Sequence, residues 1–307
     1  MKRETLKATA CRTAAYALAI SAAAVLAAAV QAEDKEPIKH RFLMYDEGRG
    51  ILHYVDERDA AKDWKLQLPK DDLETKKLVQ DVKVPGVGGV FSARRRADGF
   101  TVLGANAAGV QVLELDKDNK LVRKMKVPGA SNLRMIRLTS DGGVVCAEQK
   151  GMIEVAFDDK APNGCKVVKT IPLPRAQNAF MALKKDDGSY LLSGGYAHAV
   201  FDFGPDGALR KEYMVKDPPK GVDLHFFAGI QVLKNGNIVA CNWTGHEPQD
   251  SAKGWQLLEF SPDGALVWHW HNPAQAGTAI NIAILDDLDE NAFLDDSSGV
   301  LKAVPAK

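Results

Sequence analysis

Four Asp-Gly or Asn-Gly turns, each between apolar runs, predict an all-β chain of repeated four-stranded antiparallel units, the plan of a β-propeller. They begin at Asp98, Asp141, Asp187 and Asn235, spaced by 43, 46 and 48 residues. Around each lies the same order: an apolar strand, the turn, a second strand, a Gly-containing loop, a third strand ending in an acidic residue, and a fourth ending near Pro. A second family of short turns sits between third and fourth strands, at Asp118-Asn119, Pro205-Asp206-Gly207 and Pro262-Asp263-Gly264. Turns this short leave no room for helices.

The chain ends fit the same plan. FLMYDEGRGILHYVDE (42–57) reads as a second and third strand without a first, and AINIAILDDLDENAF (279–293) as a first strand with its turn. A ring whose last blade draws on both chain ends has no open edges, so closure by the two termini is expected. Five repeats are visible. Six blades are slightly preferred, because 60–72 (AAKDWKLQLPKDD) and 293–304 (FLDDSSGVLKAV) have no place among the five. A β-sandwich does not need near-identical repeats and is discounted.

Residues 1–32 read as a Sec-type signal peptide. Lys2, Arg3, Lys7 and Arg12 precede an uncharged stretch rich in Ala, Leu and Val, and Val30-Gln31-Ala32 is a small-x-small cleavage site. The apolar run is mostly Ala and falls short of the ~20 strongly apolar residues that a membrane span prefers. The expectation is cleavage near Ala32 and a periplasmic or secreted propeller over 33–307. Roughly 275 residues then remain, enough for one large β domain with its own core. Lys+Arg and Asp+Glu both total 40, so no charge excess argues for nucleic acid. Of the four cysteines, Cys11 leaves with the leader. Cys146, Cys165 and Cys241 lack metal-ligand spacing and are expected to be buried thiols.

Over about 42–287 the chain resembles bacterial exported propellers of the quinoprotein-like and arylsulfotransferase-like superfamily. The residues that carry the resemblance are QVLKNGNIVACNW (231–243), LLEFSPDGALVWHW (257–270) and the MYDEGRG…YVDE opening. The resemblance implies the fold. Quinone-binding members carry a tryptophan docking motif in most blades, and here only the stretch from Gly264 to Trp268 approximates it. Bound pyrroloquinoline quinone is therefore disfavoured.

Topology separates the two faces of such a domain. Turns after first and third strands share one face and here are short and generic. Loops after second strands, and links between blades, share the other face and vary in length. Function concentrates in such loops. The expected working face carries Asp46, Glu47, Gly48, Arg49, Asn106, Glu148, Gln149, Lys150, Tyr196, Ala197, His198 and the long loop 242–255.

That loop, NWTGHEPQDSAKGW, holds Asn242, Trp243, His246, Glu247, Asp250, Lys253 and Trp255. His225 lies on the link entering the same blade, so His225 and His246 form the candidate catalytic pair. Two imidazoles with a carboxylate suit a divalent metal or general acid/base work. The competing reading has His225 packed near the channel and His246 solvated. Aligning the first strands puts Asn132 and Asn178 at one position, with Gly89 and Phe226 as counterparts. These asparagines either meet a ligand or tie down the links between blades. His269 and His271 share one side of an outer strand, with Trp268 and Trp270 packing inward and the histidines facing water. Arg94, Arg95 and Arg96 read as a solvated run before a turn.

No phosphate loop, Ser/His/Asp signature or paired-carboxylate motif is present. The expected function is an exported binding module recognising a glycan, peptide or protein on its loop-rich face. Trp243, Tyr196 and Trp255 would supply flat contacts, with Asn132, Asn178, Glu148, His198, Asn242 and Asp250 around them. The alternative is an enzyme (hydrolase, lyase or sulfotransferase-like) centred on His225 and His246. A pyrroloquinoline-quinone redox protein is the weaker alternative.

Overall fold

A computed structural model describes residues 36–67, 90–106, 110–289 and 291–305. The leader expected at 1–32, and Gly89, lie outside them. The compact unit runs from Lys39 to Lys307.

Three strands open the unit: β1 (Arg41–Asp46), β2 (Ile51–Asp56) and β3 (Trp64–Gln67). A second sheet follows as β4 (Val90–Arg95), β5 (Thr101–Asn106), β6 (Val110–Leu115) and β7 (Leu121–Lys126). The third comprises β8 (Leu133–Leu138), β9 (Val144–Glu148), β10 (Gly151–Phe157) and β11 (Cys165–Pro172). The fourth comprises β12 (Ala182–Lys184), β13 (Tyr190–Ser193), β14 (Val200–Phe203) and β15 (Leu209–Tyr213). The fifth comprises β16 (Phe226–Val232), β17 (Ile238–Trp243), β18 (Leu257–Phe260) and β19 (Leu266–Trp270). Then β20 (Ala279–Ile284) pairs antiparallel with β1, Phe42 opposite Ile284, and completes the first sheet in the order β20-β1-β2-β3. The described residues form five four-stranded antiparallel blades in a propeller arrangement.

Each Asp-Gly or Asn-Gly turn lies between the first and second strands of a blade, and each glycine there has positive φ, such as Gly99 at 87° and Gly236 at 86°. Strands inside a blade are covered on both sides, and β17 is buried at every position. Outer strands alternate, as β11 does with Lys166, Val168, Thr170 and Pro172 turned to solvent. Four apolar clusters fill the spaces between successive blades: second and third, third and fourth, fourth and fifth, fifth and first.

The expectation of six blades is corrected to five. Trp64–Gln67 of the unassigned segment is the outer strand of the first sheet. The C-terminal stretch forms only a two-stranded hairpin, β21 (Phe293–Asp295) and β22 (Lys302–Val304). This hairpin lies across the turn-bearing ends of its neighbours and adds no blade. The Asp186 N–H donates to the Ser298 carbonyl at 3.2 Å, and Val300 bridges Val232.

Cys146, Cys165 and Cys241 are buried free thiols. Burial pushes the Cys146 thiol up to about 12, and it raises Cys165 and Cys241 too. A thiolate is the reactive form. All three are therefore expected to react with a water-soluble disulfide reagent only after denaturation. Rapid labelling of folded protein would contradict this packing.

Candidate functional site

The loop-bearing face gathers side chains from the fourth, fifth and first blades. Its first element is the turn after β13. Gly195 has φ 62°, and an added Cβ would stand 2.2 Å from the Gln177 carbonyl, so only glycine fits. The Gly195 carbonyl accepts from Phe227 N at 3.0 Å and fixes the turn to the next blade. Tyr196 then projects outward, 36% exposed, and His198 takes a left-handed backbone at φ 54°. A non-glycine residue held there is strained and needs surrounding contacts to persist. Burial holds His198 below the usual histidine range, against a hydrogen bond to the His225 backbone that raises it.

Aromatic edges link these residues. Tyr196 meets His225 at 5.4 Å and Phe226 at 4.8 Å between ring centroids. Phe226 meets Trp243 at 5.7 Å, and Trp243 meets His246 at 4.6 Å. The last element is the turn after β1. Glu47 accepts from Trp243 Nε1 at 3.1 Å and pairs with His246 Nδ1 at 3.1 Å. Gly48 packs against the backbone of 246–248, locking the first-blade turn to the fifth-blade loop.

The structure thus places Tyr196, His198, His225, Trp243 and His246 in one cluster. His225 and His246 do not meet directly, because the Trp243 indole lies between them, 5.9 Å from His225. Among the described residues no group of three or more His, Cys, Asp or Glu is arranged to hold a metal.

Several expected contact residues have structural work instead. Trp243 is only 6% exposed and offers no free ring face, which corrects its expected role as a flat contact. Asn242 is fully buried. It accepts from His225 N at 2.8 Å and donates to the carbonyls of Asp223 and Trp255 at 2.9 and 2.8 Å. Asp250 accepts from Glu247 N at 3.1 Å and pairs with Lys253, closing a short 3-10 turn. Trp255 stacks on His269 at 4.0 Å, away from the cluster. Glu148 accepts from Ser131 N and Asn132 N, each at 2.7 Å, and so ties down the link that enters β8. Asn106 ends β5. Trp268 and Trp270 face the core beside Phe42, while His269 and His271 face outward.

Beside Tyr196 lies a depression of about 370 Å³ lined by Gln149, Lys150, Arg175, Gln177, Asn178 and Pro174. Asn178 sits there at φ 57°, its Oδ1 accepting from Gln149 Nε2 at 3.2 Å. No sequence motif singles out Arg175 and Gln177. The link PLPRAQN (172–178) gave the only available signal, since links share the working face.

No protein-family model matches the chain. No curated protein matches it either. Among solved structures it is similar to a Bacteroides caccae protein of unknown function, with TM-score 0.51 and 20% identity over 82% of this chain and 88% of that one. It is also similar to virginiamycin B lyase from Staphylococcus aureus (TM-score 0.47, 12% identity, 71% and 70% covered) and to the WD40 propeller domain of Doa1 (TM-score 0.45, 16% identity, 76% and 65% covered). At 20% identity the likeness to the Bacteroides caccae protein is one of fold.

Proposed function

We propose that this chain is an exported glycan-binding propeller whose loop face holds a sugar against Tyr196. The observation that carries the reading is the exposed Tyr196 ring beside the depression lined by Gln149, Gln177 and Asn178. A flat aromatic ring takes the apolar face of a sugar, and amide side chains both donate to and accept from hydroxyls. Completion of the first blade from both chain ends supports a closed ring, a rigid base for such loops. The N-terminal pattern supports export, and the repeat motifs support kinship with quinoprotein-like propellers.

Tyr196→Ala is expected to weaken glycan binding at least tenfold, about 1.4 kcal/mol, with the melting temperature unchanged. An oligosaccharide array followed by calorimetry on the wild type and the variant reads this directly. Binding that survives the substitution would remove Tyr196 from the site. A blank array with a protein captured instead would replace the glycan by a protein partner.

One observation favours the enzyme reading. The Glu47 hydrogen bond orients His246, as a carboxylate orients a general base. Turnover lost in both His246→Ala and Glu47→Gln, with folding intact, would establish it.

A further inference from the structure

A second cavity, of about 330 Å³, lies on the inner side of the blades and is lined from all five: by Arg94 of β4, Arg137 of β8, Leu183 of β12, Ile230 of β16 and Ile282 of β20. Leu43 and Leu52 add apolar wall from the first blade, and Leu294 and Leu301 add it from the C-terminal hairpin.

Two guanidinium groups reach this mostly apolar space. Arg137 is 6% exposed, with Nε 3.1 Å from Asp296 Oδ2 of the hairpin and Nη2 3.0 Å from Met181 Sδ. Arg94 uses only Nη1, which donates to the Ala93 carbonyl at 2.8 Å. Its Nε and Nη2 are buried and have no hydrogen-bond partner among the described residues. Those two nitrogens form the edge of a guanidinium that a carboxylate takes through two parallel hydrogen bonds. A buried donor left unpaired is costly, so the arrangement is poised for an acceptor. Against the two arginines stands one carboxylate, Asp296, leaving room for one further negative charge.

We propose that this cavity binds a small monocarboxylate with an apolar body, its carboxylate on Arg94 Nε and Nη2 and its body against the leucines. A dianion would exceed the charge the site can match, and a neutral alcohol would leave the guanidinium edge half used. Asp296 limits affinity by drawing off Arg137. The proposal concerns a different site from the loop face and stands independently of the glycan reading.

Calorimetry on the purified chain with octanoate, 1-octanol and sulfate tests it. Octanoate is expected to bind at least tenfold more tightly than either other probe. Arg94→Gln should weaken octanoate at least tenfold. Arg95→Gln, whose parent side chain bonds Thr101 outside the cavity, should leave it unchanged. Asp296→Asn, which frees Arg137, should tighten it severalfold. Wild-type protein that fails to bind octanoate at millimolar concentration overturns the proposal without any variant. Equal affinity for sulfate overturns the monocarboxylate class, and undiminished binding in Arg94→Gln overturns the site.

Discussion

Replacing His40 by Ala is expected to destabilise the domain by about 3–5 kcal/mol, the cost of breaking a buried ion pair from one side. His40 is 4% exposed and sits where the first and fifth blades meet. Its Nε2 lies 2.8 Å from Glu259 of β18, and its Nδ1 2.8 Å from Asp286 in the turn after β20. The ring stands edge-on to Trp268 at 4.7 Å, and the backbone N–H donates to Glu57 at 2.7 Å. One imidazole therefore joins both ends of the chain to the fifth blade. Without it Glu259 keeps, among the described residues, Asn237 at 2.6 Å, and its charge stays buried. Burial alone would lower the His40 pKa, but the hydrogen bonds to Asp286 and Glu259 outweigh it and raise the value to about 9. A raised folded-state value means the protonated form stabilises the fold. That contribution, about 3 kcal/mol, is complete below the unfolded value near 6.5 and is lost as pH rises through about 9. Urea unfolding of wild type and His40→Gln at pH 6, 7.5 and 9.5 reads this as a gap that narrows with rising pH. A gap constant across that range would mean that His40 is neutral in the folded protein.

The repeat plan was legible because it is local. The Asp-Gly turns, the proline turns and the alternation of outer strands depend on neighbours along the chain, and each fell where the spacing put it. The acidic residue of the third strand is part of that plan. Glu114, Glu154, Asp202 and Glu259 recur there, each meeting a basic group: Arg96, Lys184, Lys185 and His40 respectively. Lys184 and His40 come from the following blade, and no linear pattern shows such pairings across blades. The same limit explains the site. Trp243 and Asn242 lie in a conspicuous loop, yet the first-blade turn at Glu47 and the link at Asp223 bury them. Arg94 and Arg96 read as one solvated run. Arg94, inside β4, lines the internal cavity, while Arg96, past the end of the strand, pairs with Glu114 and Asp98, so that reading is corrected. The segment 293–304 reads in sequence as material for a sixth blade and folds as a hairpin, because strand pattern does not reveal what a strand packs against.

Asn242 separates the two ways of reading the loop, and its substitution is the other change with a large expected effect. Its side chain makes three buried hydrogen bonds that hold the link at Asp223 and His225 against the loop's return at Trp255. The backbone there is already close: a Cβ on Gly254 would stand 2.0 Å from the Asp223 carbonyl. Asn242→Ala leaves one N–H and two carbonyls without these partners, at about 2–4 kcal/mol. The melting temperature should fall on the order of 5–10 °C. Binding at Tyr196 should weaken as well, because His225 and Phe226 form the wall behind that ring. Asn242→Asp keeps the acceptor for His225 N but sets a buried carboxylate oxygen against the Asp223 and Trp255 carbonyls, so it should destabilise at least as much as Asn242→Ala. Tyr196→Ala gives the contrasting signature of lost binding at unchanged stability. If Asn242→Ala instead abolished binding without moving the melting temperature, Asn242 would touch the ligand itself. The loop 242–255 would then be the recognition surface that its sequence suggests, and the site would shift from the fourth blade to the fifth.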